Sequence, residues 1–107
     1  MSDIRILVMT APSAETAESI VTTLVGEGLI ACGNIALPVR SIYRWQGATE
    51  RASEVLVIMK TTDAAVPSVM RRISELHPYE VPEVLSLPVL TGYEPYLSWV
   101  RESVVIK

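Results

Sequence analysis

The stretch His77-Pro78-Tyr79-Glu80-Val81-Pro82-Glu83 joins a helix-like run to a strand-like run. Each proline fixes its own φ at about −65° and restricts the residue before it. The helix must therefore stop by His77, and the stretch is predicted to be a stiff, extended connector. Such a connector holds side chains in set directions and suits a binding site, although a rigid joint with no binding role is the alternative.

The composition predicts one domain that associates with other copies of itself. The chain has 107 residues, of which 50% are hydrophobic, and its mean hydropathy is +0.36. A domain of this length, residues 1–107, buries only roughly two thirds of the surface of its unfolded chain. The apolar residues left outside the core favour a subunit interface.

Charge and cysteine content exclude several classes of protein. The net charge is −3, the pI is about 5.1, and the nine basic residues are scattered, so we expect no nucleic-acid partner. One cysteine suits a reducing compartment. The first residues do not resemble a secretory signal, and no apolar run reaches the roughly 20 residues that cross a bilayer. The sequence thus predicts a soluble, cytoplasmic protein without a membrane partner.

Hydrophobic periodicity predicts alternating strands and helices. Short apolar runs at 4–9, 29–37, 39–45, 54–60 and 83–87 are typical of strands, and a bend or bulge is expected at Pro38. Helical spacing follows Ser13, Asp63 and Gly92, with Ser13 and Asp63 as predicted N-caps. Residues 104–106 are expected to form a last short strand.

The order β-α-β-β-α-β with a C-terminal helix predicts an α+β fold. It is that of the ferredoxin-like sandwich, in which two helices cover one antiparallel sheet. The second and third strands form a long hairpin over residues 39–61. This hairpin has more strand than one small helical layer can cover, so it too indicates contact with another subunit.

Several motifs in order give the chain a close resemblance to the CutA divalent-cation tolerance proteins. The resemblance runs from about Ile4 to Trp99. The motifs are Thr10-Ala11-Pro12, Leu29-Ile30-Ala31-Cys32-Gly33-Asn34, Ser41-Ile42-Tyr43-Arg44-Trp45-Gln46-Gly47, Glu54, Lys60-Thr61-Thr62, residues 77–83, and Tyr96-Leu97-Ser98-Trp99. The resemblance implies a ferredoxin-like fold, a cytoplasmic homotrimer, and a role in tolerance of copper or another divalent cation.

The resemblance also implies a metal site, with differences in this chain. Metal-binding members are similar in having a cysteine before Thr-Ala-Pro and two adjacent histidines before Pro-Tyr. Here Met9 and Leu76-His77 occupy those places. His77 is then the one strong donor, and the Met9 thioether is a soft ligand that suits Cu(I). We therefore expect copper or another divalent cation to bind weakly.

Five other residues are candidates for a ligand cleft or a subunit interface: Tyr43, Trp45, Tyr79, Glu80 and Trp99. Glu54 is expected to be a solvated charge near the hairpin tip. Acid–base work by His77 beside Tyr79 is conceivable, but no nucleophile with a base and no glycine-rich phosphate loop is identifiable. We therefore predict that the protein is not an enzyme. It responds to metal ions or, alternatively, senses small molecules in clefts between subunits.

Overall fold

The computed structural model describes residues 2–105, apart from the side chain of Leu37. Within these residues, four strands and three helices alternate along the chain. The strands β1 to β4 span Ile4–Ala11, Cys32–Trp45, Ala48–Thr62 and Val84–Pro88. The helices α1 to α3 span Ala14–Gly26, Val66–Leu76 and Glu94–Ser103.

The strands form one antiparallel sheet in the order β2-β3-β1-β4 over the described residues. Strand β1 is central and pairs with β3 on one side and with β4 on the other. This arrangement confirms the predicted α+β class with an antiparallel sheet. It also places the C-terminal end of β1 next to the start of β4, where the segment 77–83 arrives.

One face of the sheet carries the core beneath α1. Successive side chains of a strand point to opposite faces, so Leu7 and Met9 of β1 lie on the same face as Val57 and Met59 of β3, their neighbours across the ladder. All four are fully buried. A Cβ atom on Gly33 of β2 would lie 2.8 Å from Val21 of α1, which shows how closely that helix packs here.

Helix α3 covers part of the opposite face. Cys32 pairs with Lys60 in the ladder, so its side chain points away from the face that carries Met59. The hydroxyl group of Tyr96 in α3 lies 3.6 Å from Cys32 Sγ. Helix α3 therefore lies over the ends of β2 and β3 on that face. Farther along, Leu85 and Leu87 of β4 remain 57% and 45% exposed.

The hairpin of β2 and β3 is long and contains a bulge. Its two-residue turn has positive φ at both Gln46 and Gly47, which matches the twist of hairpin strands. The expected irregularity at Pro38 is confirmed, because the pairing with β3 shifts by one residue between Ile35 and Pro38. Strand β1 ends opposite Val55, so residues 39–54 extend beyond the rest of the sheet.

The helix caps confirm one prediction and correct another. The Ser13 hydroxyl accepts a hydrogen bond from the backbone N–H of Thr16 at 3.1 Å, as an N-cap should. Asp63 is not an N-cap, because it begins a 3-10 turn before α2 and its carboxylate lies 3.3 Å from the Arg5 guanidinium. An ion pair with β1 has thus replaced the capping interaction.

A last strand was predicted at residues 104–106. The structure describes residues 104 and 105, and they do not form a strand. Val104 caps α3, and the backbone N–H of Val105 donates to the carbonyl of Gly28 at 2.9 Å. Ile106 lies outside the described residues.

Candidate functional site

The segment 77–83 is held at its first residue by the end of α2. His77 is the C-cap, and its backbone N–H still donates to the carbonyl of Ile73 at 2.8 Å. Its ψ of 137° is already extended, as expected before Pro78. The helix therefore stops where the sequence predicts, and the side chain of His77 points inward, with only 6% of the residue exposed.

Both ring nitrogens of His77 take part in hydrogen bonds within the chain. Nε2 lies 2.8 Å from the carbonyl oxygen of Thr10, and Nδ1 lies 3.1 Å from the backbone nitrogen of Tyr79. A carbonyl oxygen can only accept and a backbone N–H can only donate. The proton of the neutral ring must therefore be on Nε2, and the lone pair of Nδ1 faces Tyr79. Through these hydrogen bonds, the ring connects the end of α2, the end of β1 and the loop.

Tyr79 extends this network to β3. Its hydroxyl group donates to Oε2 of Glu54 at 2.7 Å, and its ring contacts that of His77 with centroids 4.7 Å apart. Burial, followed by the hydrogen bond to Glu54, raises the pKa of Tyr79 to about 12. Tyr79 thus keeps its proton at any ordinary pH and remains the donor to the carboxylate.

Glu54 corrects an expectation from the sequence. It was predicted to be a solvated charge near the hairpin tip, but only 6% of it is exposed. Strand β3 begins at Ala48, so Glu54 lies well inside the strand, opposite Val39. Its position directly before the apolar run from Val55 was a signal of burial, but the loop that covers it comes from distant sequence.

The loop and the hairpin enclose a cleft of about 830 Å³ beside the end of β1. Four of the five predicted cleft or interface residues line it, namely Tyr43, Trp45, Tyr79 and Glu80. Trp99 does not, since it lies on α3 with its ring 5.6 Å from that of Tyr96. Thr10, Ser41 and Glu83 also line the cleft; they belong to motifs found in the sequence but were not among the five predicted cleft residues.

The bulge at residues 35–38 explains how the hairpin aromatics reach this cleft. Ile35 pairs with Val57, whose side chain faces the core beneath α1. In a regular strand, residues separated by an even number of positions point to the same face. Without the extra residue, Tyr43 and Trp45 would therefore point to the face of Ile35, from which they are eight and ten positions away. The shift turns them to the face of Glu54, where they are 46% and 41% exposed.

Both predicted metal ligands, Met9 and His77, are buried and already packed within the chain. Met9 is fully buried among the apolar side chains beneath α1. In the part of the chain that the structure describes, no cluster of three or more His, Cys, Asp or Glu side chains could hold a metal ion. Coordination by His77 would require the ring to give up one of its two hydrogen bonds.

Comparison with known proteins places this α+β chain in a group of divalent-ion tolerance proteins. A sequence profile of the CutA1 divalent ion tolerance protein family matches residues 5–103. The chain belongs to this family, which confirms the resemblance predicted from its motifs.

Two relatives match this chain over most of its length. The divalent-cation tolerance protein CutA of Thermus thermophilus is 45% identical over 99 residues, covering 92% of this chain and 96% of that one. Human protein CutA is 43% identical over 94 residues, which are 88% of this chain but 52% of the human protein. This chain thus spans about half the length of its human relative.

Solved structures show the same fold. A T. thermophilus divalent cation tolerance protein superposes with a TM-score of 0.92 at 44% identity, covering 94% of this chain and 98% of that one. A protein from Archaeoglobus fulgidus, described as a periplasmic divalent cation tolerance protein, gives 0.90 at 33% identity over 94% and 97% of the chains. No helix in residues 2–105 of this chain is long and apolar enough to cross a membrane.

We predict that His77→Ala destabilises the protein and that His77→Gln restores part of the loss. Alanine leaves the Thr10 carbonyl and the Tyr79 amide without partners, which should lower the free energy of unfolding by about 1–3 kcal/mol. The glutamine side chain offers both a donor and an acceptor. Denaturant titrations of the three proteins at equal concentration measure the effect, and equal midpoints for wild type and His77→Ala would contradict it.

Proposed function

We propose that this chain acts in divalent-cation tolerance as a homotrimer of ferredoxin-like sandwiches that binds a small ligand in its cleft. The observation that carries the proposal is the cleft itself, whose volume of about 830 Å³ is that of a small-molecule site. Its floor is the sheet face that α3 leaves open, and its walls are the loop 77–83 and the projecting hairpin. The role is one of binding rather than catalysis.

Exposed apolar side chains support the trimer. Leu85 and Leu87 of the edge strand β4 lie on the open face, and Ile42 of the projecting hairpin is 61% exposed. Strand β2 is the other edge of the sheet, so its outer backbone groups are free to pair with another chain. A closed ring of copies would cover these edges through head-to-tail contacts. The cleft would then lie at a subunit boundary.

The proposed location is the cytoplasm. The one cysteine, Cys32, is free and half-buried, which suits a reducing compartment. One relative, from Archaeoglobus fulgidus, is described as periplasmic. For this chain the cytoplasmic location is a prediction.

Assembly can be tested with a matched pair of charge substitutions. We expect wild type to sediment as a trimer and Leu85→Glu to dissociate, because the new charge would have to be buried between subunits. Val25→Glu is the control, since Val25 is also an exposed apolar residue but lies on α1, at 43% exposure. A monomeric wild type at micromolar concentration, or equal behaviour of both variants, would reject the proposed interface.

Direct metal coordination by His77 is the second candidate, and the family description favours it. This coordination is a prediction, and it requires one ring nitrogen of His77 to give up its present hydrogen bond. The lone pair of Nδ1 already accepts from Tyr79, and Nε2 must lose its proton to bind a metal ion. Met9 is fully buried in the core. Any metal site here would therefore require local rearrangement.

Because of this cost, we expect Cu(I) to bind weakly and equally to wild type and His77→Ala. Chelator-competition titrations under anaerobic, reducing conditions measure both affinities. An affinity that falls about tenfold or more in His77→Ala, about 1.4 kcal/mol, would support coordination by His77 instead. His77→Gln is the control, because it keeps hydrogen-bonding groups for the loop but has no imidazole. An affinity that falls in His77→Ala but not in His77→Gln would come from a disordered loop and not from a lost ligand.

A further inference from the structure

The buried carboxylate of Glu54 has no cationic partner among the described residues. Only 6% of the residue is exposed, and its one hydrogen bond is from the Tyr79 hydroxyl group to Oε2. None of the ion pairs of the described chain includes Glu54. Its second oxygen, Oε1, makes no hydrogen bond within the described residues, and Glu54 is one of the residues that line the cleft. A carboxylate in such surroundings is normally paired with a positive charge.

The other charged residues that line the cleft have the same sign as Glu54. Glu80 and Glu83 come from the loop 77–83, and the described residues that line the cleft include no lysine, arginine or histidine. Walls of one charge focus the electric field in a cleft and attract ions of the opposite charge. An anionic ligand such as a phosphate or a carboxylate would be repelled, whereas a cation would be stabilised.

Aromatic rings distinguish between kinds of cation. Tyr43, Trp45 and Tyr79 line the same cleft as Glu54, and the hairpin bulge is what brings the first two there. The faces of such rings attract organic ammonium and guanidinium groups. A compact divalent ion instead requires several converging oxygen or nitrogen ligands, and the described chain has no such cluster.

We propose that the cleft binds a small organic cation, an ammonium or guanidinium ion whose charged group pairs with Oε1 of Glu54 and whose body packs on Tyr43 and Trp45. This inference rests on the proposed function, because it names the class of ligand for the same cleft. The hydrogen bond from Tyr79 engages Oε2, whereas Oε1 makes no hydrogen bond within the described residues. The volume of about 830 Å³ accommodates a ligand larger than a bare ion.

The test is calorimetry on the intact protein with matched probes at low ionic strength. Butylguanidinium and butyltrimethylammonium carry a positive charge, pentanol is neutral, and pentanoate is negative. We expect binding of the two cations and weaker or undetectable binding of pentanol and pentanoate. Added salt should weaken the cation affinity.

Variants locate the binding. Glu54→Gln keeps an acceptor for Tyr79 but removes the charge, so cation affinity should fall by about ten- to a hundredfold. Trp45→Leu should cost roughly two- to thirtyfold. Glu18→Gln on the exposed face of α1 is the matched control and should bind as wild type does. If Glu54→Gln unfolds, Glu80→Gln and Glu83→Gln provide a second test, because each removes a negative charge from the cleft lining and should lower the cation affinity.

Four other results of these titrations would overturn the inference, and each would point to a different cause. Stronger binding of pentanol or pentanoate, lost in Trp45→Leu, would leave the small-ligand cleft standing but reject a cationic ligand. Binding of Mg²⁺ or Cu²⁺ that displaces the organic cations and requires Glu54 would replace them with a metal ion. Cation affinity equal in wild type, Glu54→Gln and Trp45→Leu would place binding elsewhere. No binding of any probe would reject both this inference and the proposed cleft function.

Discussion

The position of the loop 77–83 depends on one imidazole ring. His77 donates to the Thr10 carbonyl and accepts from the Tyr79 amide, so a single side chain joins the end of β1, the end of α2 and the loop. The ring is almost fully buried, so both hydrogen bonds are shielded from water and costly to lose. From this fixed point, Tyr79 reaches Glu54, and the loop closes one side of the cleft.

The family is described by divalent-ion tolerance, and the hydrogen bonds of His77 bear on where a cation could bind in this chain. Both ring nitrogens of His77 already take part in hydrogen bonds, and Met9 is part of the core. The negative charges that a cation could meet lie instead on Glu54, Glu80 and Glu83, beside aromatic rings. We therefore expect the cleft to favour positive charge, whereas the described residues include no cluster of three or more side chains that could hold a metal ion.

The sequence predicted the elements better than the directions of their side chains. Two prolines and a helical stripe were enough to place the end of α2 at His77, and the apolar runs located all four described strands. The apolar run that follows Glu54 was a signal of its burial, but its partner, Tyr79, could not be predicted because it is distant in sequence. The effect of the Pro38 bulge was equally hidden, since one extra residue decides which face Tyr43 and Trp45 occupy.

The most direct test of this account is the protonation state of the His77 ring, observed by nitrogen-15 nuclear magnetic resonance in mildly alkaline buffer. The chain has only one histidine, so the assignment is unambiguous. The account predicts a single tautomer with the proton on Nε2, an unprotonated Nδ1, and slow hydrogen exchange of the Tyr79 amide. A proton on Nδ1, or averaging between the two tautomers, would show that the ring does not hold the loop as described.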